Sequence, residues 1–495
     1  MKNNTANYIG LSFVAVCILG LHENAEADLL TFQGQYQSEL EERSAVSNQA
    51  VYDQLKASGC DDVERAATSS CSGATFVVWN NVRELVHTAN ELTNSGPTLF
   101  SLDSNLEGLG FALRWTAGEE FASEESLVDS FVSGQLSGLA SRITALRSGA
   151  RGFNIAGVDV DGNGELARIS KYSSGLNAGD QTSDLWSRLG GFINGSYTYG
   201  DQEGSEREDA FDFDGAELNA GLDYRLDDHW VVGGLLGYIS EEVDFDAEKS
   251  IVDGGVTMDG LSLSTFVLYQ SDSWFYSASI GYQYSDFTTT RSIRYPSFNP
   301  NTTSTNTEAR SSNDAHTLTT NMSAGYSFFV TDTITIEPSV SVNYQDVSID
   351  EYREKDINND GFDFVVSKQN IDSLETVASL KTQYTLTTQY GVFMPFVDLQ
   401  YYSQHKSDQR FIEAAYVGAM ETLTSDAYFL LPTNSVEVDY KIYSFGVAAV
   451  IRGAQQTTFG SAASGGIQVY LNFREIKDIG DYSQKILSGG LRYEF

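Results

Sequence analysis

Positive charge is what this 495-residue sequence most lacks: 30 Lys and Arg stand against 68 Asp and Glu, for a formal net charge of -38. A protein that neutralises phosphate backbones needs a basic footprint, so nucleic-acid binding is excluded as a function class. Long helix-type apolar runs are also missing beyond the extreme N-terminus, and the mean hydropathy is -0.25. No segment reads as a bilayer-spanning helix, which excludes a helical membrane protein but not one built from strands. Proline is scarce at 6 residues, while Gly (44), Tyr (27) and Phe (28) are abundant, a bias toward long strands with aromatic and small residues on their faces. With 41% hydrophobic and 12% aromatic residues the chain is too apolar for a disordered acidic protein. It folds, and mainly as β-structure.

Lys2, the apolar stretch Tyr8 to Leu21 and the triplet Ala25-Glu26-Ala27 follow the order of a secretory signal. Residues 1–27 are therefore expected to be a signal peptide, with the mature chain starting at Asp28. Val16 stands before Cys17 where a lipoprotein signal needs a small residue, so lipidation is not expected. Removal of the signal leaves Cys60 and Cys71, and export to an oxidising compartment predicts a disulfide between them.

Residues 28–123 carry helical spacing: Phe32, Tyr36 and Leu40, then Val51 and Leu55 up to Gly59, then Val82, Leu85, Val86, Ala89 and Leu92 up to Ser95-Gly96-Pro97. They are expected to form a small α-helical N-terminal domain. Residues 124–148 are predicted as one further helix, with Phe131, Leu139, Ile143 and Leu146 on one side from Leu127 onward. Glu124 and Glu125 lead it, and Arg142 and Arg147 lie near its C-terminal end, where the helix dipole favours cations. Residues 149–185 are rich in Gly, Asp, Ser and Asn, show no sustained period and read as a linker.

One spacing in that linker suggests a metal. Asp159, Asp161, Asn163 and Glu165 place oxygen side chains as in the first half of an EF-hand loop, with Gly164 at the turn, making them candidate Ca2+ ligands. Ser170 occupies the twelfth position, where a bidentate Glu is needed, and a flexible acidic linker is the competing explanation. Asp356, Asn358, Asp360 and Gly361 repeat the spacing further on. No other cofactor is expected.

From residue 186 the pattern becomes strict alternation. Leu189, Gly191, Ile193, Gly195, Tyr197 and Tyr199 fall on one face; Gly190, Phe192, Asn194, Ser196 and Thr198 fall on the other. Trp230 to Tyr238, Trp274 to Tyr284, Ile334 to Tyr344 and Ile467 to Phe473 repeat it. About twelve such segments are present, each with the ten or so residues that a tilted membrane strand requires. Their connections alternate too: Arg225 to His229 and Thr331 to Thr333 are tight turns, whereas Pro296 to Ala315, Asp350 to Asn370 and Ser407 to Ser435 are long and polar. A soluble sandwich would not need apolar rows edged by aromatics, so residues 186–495 are expected to form an antiparallel transmembrane β-barrel of about 12 strands.

Here the sequence resembles a known family. Arg188 to Tyr199 (RLGGFINGSYTY), Phe211 to Arg225 (FDFDGAELNAGLDYR), Trp230 to Tyr238 (WVVGGLLGY) and the closing LRYEF look like the translocator domain of autotransporters, the type V secretion proteins. The resemblance implies a barrel whose pore holds a helix joined to an N-terminal passenger. Ala140 to Arg147 (ASRITALR) is similar to that linker helix, so Arg142 and Arg147 are expected to face carboxylates of the lumen. The insert between this segment and the first strand departs from the family pattern. Leu491, Tyr493 and Phe495 alternate along the last strand, and a terminal Phe resembles the insertion signal of bacterial outer-membrane barrels. The implied partners are outer-membrane lipid, the barrel assembly machinery and periplasmic chaperones; the implied location is the outer membrane of a Gram-negative bacterium, as a monomeric barrel.

The function so implied is secretion or display of the protein's own N-terminal domain. The alternative is an outer-membrane pore with that domain as a periplasmic plug. An enzyme is not expected: neither a Gly-Asp-Ser-Leu nor a serine-protease motif is present, and His87 lacks an adjacent nucleophile. His229, His316 and His405 are too scattered for one barrel site.

Overall fold

The structure, a computed structural model, describes residues 28–147, 154–155, 158–160, 166–167, 188–245, 250–271, 273–388, 390–406, 410–424, 427–434, 438–452 and 467–494. The signal-peptide expectation for residues 1–27, the linker's Asp161, Asn163 and Glu165, and Phe495 lie outside them.

Alternation with period two puts successive side chains on opposite faces, and twelve such strands pair antiparallel in chain order into a closed barrel. They are β1 (Leu189–Gln202), β2 (Phe211–Arg225), β3 (Trp230–Phe245), β4 (Gly254–Gln270), β5 (Trp274–Tyr295) and β6 (Thr305–Tyr326). The circle continues with β7 (Ile334–Ile349), β8 (Gln369–Tyr384), β9 (Gly391–Gln404), β10 (Asp439–Arg452), β11 (Ile467–Ile479) and β12 (Tyr482–Glu494). Strand β12 closes it on β1, with Leu491 opposite Ile193 and Tyr493 opposite Gly191. Closure leaves no strand edge unpaired in lipid.

The outward rows are apolar and exposed: Leu236 is 64% exposed and Leu261 60%, values that water would penalise and lipid does not. Aromatic rings bound them. At the short-turn end Trp230 packs on Tyr269 and Trp274 on Tyr326, both at 4.9 Å between centroids. At the other end tyrosine hydroxyls donate to outward carboxylates on the next strand, Tyr197 to Asp214 (2.9 Å), Tyr238 to Asp259 (2.7 Å) and Tyr284 to Asp314 (2.6 Å). Trp230 and Tyr238 bracket the apolar part of β3; eight residues of strand span about 27 Å, which a tilt near 40° brings to about 20 Å, close to the apolar height of such barrels.

Residues 203–210, 246–253, 296–304, 350–368 and 405–438 connect strands at one end of the barrel, and the shorter 226–229, 271–273, 327–333 and 385–390 at the other; the last three strands break the pattern, with 453–466 at the short-turn end and the turn at 480–481 at the long-loop end. The N-terminal helices sit over the long-loop end. They are α1 (Glu39–Ala57), α2 (Gly73–Thr93) and α3 (Leu106–Trp115). The Ser38 hydroxyl caps α1 by accepting from the Glu41 amide (3.2 Å), the Asn105 side chain caps α3 by accepting from the Gly108 amide (2.8 Å), and Asn94 at φ 54° ends α2. Leu40, Val51, Leu55, Trp79, Val82, Leu85, Leu109 and Leu113 are buried between them. Cys60 and Cys71 form a disulfide across the α1–α2 connection.

This cap does not finish its own core. Residues read from sequence as long polar loops instead pair as a four-stranded sheet of Tyr352–Arg353, Phe364–Val366, Phe411–Tyr416 and Phe429–Pro432. Its Phe364, Tyr416 and Phe429 pack on one another at about 5 Å and belong to the same buried cluster as the cap helices and the upper barrel wall. Polar contacts cross the same seam: Asn81 donates to the Asp360 carbonyl (2.7 Å), Thr75 to the Gly418 carbonyl (3.0 Å) and Tyr416 to the Asn48 side chain (3.0 Å). At Gly418 an added Cβ would meet the Ala74 carbonyl oxygen at 2.9 Å, so this approach of loop to helix requires glycine.

Two further differences from the sequence expectation have local causes. Pro296 to Ala315 is not all loop, because β6 begins at Thr305 and its Ala309 and Ala315 are buried facing inward beneath the cap. The predicted helix starts earlier, as α4 (Glu120–Arg147), with Glu124 inside it rather than before it. Gly118 at φ 84° makes the break that separates α3 from α4. Within the linker the described backbone forms three short antiparallel strands, Asn154–Ile155, Val158–Val160 and Leu166–Ala167.

Candidate functional site

Helix α4 lies inside the barrel, so the candidate site is the set of sockets that hold it there. Small residues face the nearest wall. A Cβ on Gly134 would strike the Glu217 carboxylate, and one on Gly138 would come 3.3 Å from the Asn194 amide, so the helix backbone runs against β1 and β2.

Polar side chains of α4 meet a complementary partner at each turn. Near the long-loop end Glu124 accepts from Thr289 and Asn313, both at 3.3 Å, and Glu125 pairs with Arg410. Next, Gln484 of β12 donates to the Ser130 hydroxyl (3.0 Å), which donates to Glu241 (2.7 Å). Gln135 then donates to Asn219 (2.6 Å) and to Glu217, which also accepts from Ser196 (3.1 Å). Arg142 is buried against Asp223 with its guanidinium 4.6 Å from the Phe192 ring centroid, and Arg492 reaches the same carboxylate at 3.5 Å. At the short-turn end Arg147 donates to Glu337 (2.6 Å) and to the Ser327 hydroxyl (3.1 Å), over the Phe275 ring at 3.5 Å. An uncompensated charge in such a wall would cost several kcal/mol, roughly, so these pairs fix where the helix can sit.

The helix does not fill the lumen. It leans on β1 to β6, and a gap remains between it and β7 to β11. The gap has an outer chamber of about 340 Å³ and an inner one of about 190 Å³, which share Leu136, Asn343, Tyr402 and Arg474 in their walls. Tyr402 and Tyr440 stack there at 4.6 Å.

Above the lumen, buried carboxyl groups concentrate at the seam between cap and barrel. Burial pushes Glu84 up to about 8, although the Tyr295 hydroxyl donates to it at 2.6 Å. Burial likewise pushes Glu119 up to about 7 despite its paired hydrogen bonds from Arg114 (2.7 and 3.0 Å). Within the cap, burial disfavours the Asp62 carboxylate, but hydrogen bonds from His87, Lys56 and Tyr52 outweigh it and hold Asp62 well below the usual carboxylate range. His87 accepts the Phe100 amide at Nδ1 (3.1 Å), so its Nε2 carries the proton donated toward Asp62 (3.2 Å). His87 thus ties the cap together.

The other sequence candidates are placed as follows. Leu491 and Tyr493 lie exposed on the outer face of β12. Asp159 is described by its backbone pairing with Asn154 and Ala167. In the loop that repeats its spacing, Asp356 accepts from Thr307 (2.7 Å) and from the amides of Asn358 (2.9 Å) and Phe362 (3.2 Å), so its oxygens serve the turn itself. Among the described residues no group of three His, Cys, Asp or Glu side chains is gathered as for a metal. His229 lies in a short turn, His316 beside Tyr282 on the outer face and His405 beside Thr376, far from one another around the barrel. The sockets Glu217, Asp223, Glu241 and Glu337 were not singled out by sequence. Their signal was parity: each is a charged residue on the inward-facing side of an alternating strand.

Residues 191–466, more than half of the chain, match the family model described as the autotransporter beta-domain. Among solved structures the chain is similar to the translocator domain of the autotransporter NalP from Neisseria meningitidis, with TM-score 0.45, 12% identity and coverage of 62% of this chain and 88% of that one. It is similar to the beta domain of the Bordetella autotransporter BrkA, with TM-score 0.39, 15% identity and coverage of 62% and 100%. For the transport unit of AIDA-I from Escherichia coli the values are 0.35, 11%, 66% and 94%. No curated protein matches the chain.

Proposed function

This chain belongs to the autotransporter family, and from that premise we propose that its outer-membrane barrel carries residues 28–119 through the lumen and keeps them as a cap on the cell surface. The observation that carries the proposal is the direction of α4. Its Glu120 end meets the long loops and its Arg147 end meets the short turns, at Ser327, Glu337 and Gln270. Outer-membrane barrels keep short turns in the periplasm and long loops outside, so the cap joined to Glu120 faces the exterior. A periplasmic plug would need the helix to run the other way.

Retention rather than release is supported by the core that cap and loops share and by the ion pairs at both ends of α4. The protein acts here in secretion and display, not as an enzyme. Its closed barrel needs no second copy to satisfy its edges, and a closing strand that presents Leu491 and Tyr493 outward suits delivery by periplasmic chaperones to the assembly machinery.

An epitope inserted at Gly34 tests the orientation, since that position has positive φ and open space around it. Antibody should label intact cells. Labelling only after the outer membrane is permeabilised would overturn the proposal in favour of a plug.

A further inference from the structure

We infer that the inner lumen chamber is a binding site for a small hydroxylated organic anion, held between Lys381 and Arg474. The inference does not depend on which way the cap faces; it needs only α4 in the lumen.

Lys381 is 9% exposed and points into the chamber, and among the described residues its ammonium makes no hydrogen bond or ion pair, lying only over the Phe396 ring at 4.7 Å. In the strand register its flanking neighbours are Glu337 on β7 and Asp398 on β9. Their charges act on Lys381, but their hydrogen bonds go elsewhere. Glu337 pairs with Arg147, and Asp398 accepts from Ser379 (2.6 Å) and Gln400 (2.7 Å).

Arg474 closes the other side. It is 6% exposed, donates from Nη2 to the Tyr402 hydroxyl (2.9 Å), and its buried Nε has no acceptor among the described residues. The buried side-chain amide oxygen of Asn472 beside it is also without a donor among the described residues. Lys381, Asp398, Ser444 and Arg474 follow one another across three strand pairs, so the two cations stand about 14 Å apart at the wall. Their side chains reach inward to leave room for a ligand of few atoms.

Sign and chemistry follow from the lining. Arg147, Lys381 and Arg474 face Glu337 and Asp398, an excess of one positive charge, which selects a monoanion. The hydroxyls of Ser339, Ser341 and Ser444, with Asn472, supply donors and acceptors suited to hydroxyl groups on the ligand. A volume of about 190 Å³ is smaller than the pockets of drug-sized ligands, which begin near 300 Å³, and suits a sugar-acid-sized molecule. Burying cationic groups with unmet hydrogen-bonding capacity is costly, and an anion bridging them removes that cost.

The test is calorimetric titration of the full-length protein in detergent with D-gluconate, and with sorbitol as the uncharged counterpart. Gluconate should bind saturably and sorbitol should not. Lys381→Gln and Arg474→Gln should each weaken gluconate binding at least tenfold, while Lys381→Arg retains it. Absence of saturable gluconate binding, equal binding of sorbitol, or unchanged affinity in both Gln variants would overturn the inference. Folding of each variant is checked by the faster migration of an unheated barrel in SDS gels. If Lys381→Gln does not fold, Ser444→Ala replaces it, and wild-type affinity in that variant together with Arg474→Gln counts against the site.

Discussion

Replacing Asp223 by Asn should destabilise the plugged barrel more than replacing Arg142 by Ala, although the two changes remove opposite halves of one ion pair. Asp223 lies between Arg142 on α4 and Arg492 on β12, and all three side chains are buried. Asp223→Asn leaves two guanidinium groups facing each other across a neutral amide. Removing one partner of a buried pair costs about 3–5 kcal/mol, and here two like charges share the penalty. Arg142→Ala instead leaves Asp223 with Arg492 at 3.5 Å. Its loss is a charged hydrogen bond, about 1.5–3 kcal/mol, and the stacking on Phe192, about 0.5–1 kcal/mol. The expected gap of about 1–2 kcal/mol corresponds to roughly a tenfold difference in the unfolding equilibrium. Urea unfolding of the full-length protein in lipid vesicles, followed by tryptophan fluorescence and gel migration, measures both. The double variant should be more stable than Asp223→Asn alone, because it removes one of the repelling cations. If Asp223→Asn is no worse than Arg142→Ala, or if the two effects simply add, the three-residue socket does not hold the helix as described.

The remaining predictions concern the cap. A Glu84 carboxyl held up to about 8 by burial stays protonated after the unfolded chain has lost its proton, so the unfolded state binds fewer protons and stability falls as the pH rises. The cap's thermal midpoint should therefore drop between about pH 5 and about pH 8, and Glu84→Gln should flatten that slope; an identical slope in the variant would contradict the assignment. The Cys60–Cys71 disulfide closes a loop with a sequence separation of 11 residues. Its chain-entropy contribution is about 3 kcal/mol, so the Cys60→Ser, Cys71→Ser double variant should lower the cap's melting midpoint by several degrees, and no shift by circular dichroism would refute this. Residues 28–119 produced alone, with the disulfide formed, should show little cooperative unfolding, because Phe364, Tyr416 and Phe429 are missing from their core; a sharp native-like transition would show that the cap completes its own core.

The barrel was legible because its signal is local. Trp230 to Tyr238 and Trp274 to Tyr284 each display period-two alternation within one strand, and no distant contact is needed to see it. The loop sheet was not legible, because Phe364–Val366 is too short to show a period and pairs with Phe411–Tyr416 far along the chain. The early start of α4 was hidden for another reason. Glu124 and Glu125 read as acids leading the helix, whereas Glu124 lies inside it and is buried under the cap. In the lumen, Asp223 and Glu217 could be assigned inward from parity alone. Their partners Arg142 and Gln135 could not be matched to them, since the register of a helix against a barrel wall is set by packing and leaves no trace in either segment. The outward Asp residues that accept from Tyr197, Tyr238 and Tyr284 were also missed, because an aspartate on a lipid-side row looks out of place until its neighbouring tyrosine is known.

If residues 28–119 are carried through the lumen as proposed, the core shared by the cap and the loops gives that passage a direction. The apolar partners that residues 28–119 need, among them Phe364, Tyr416 and Phe429, are assembled at the long-loop mouth. On this proposal a chain still on the short-turn side would lack that surface, and each side chain that joined the core after emerging would make backsliding less favourable. The free energy of folding would then be released at one mouth of the barrel and would rectify the diffusion of the chain.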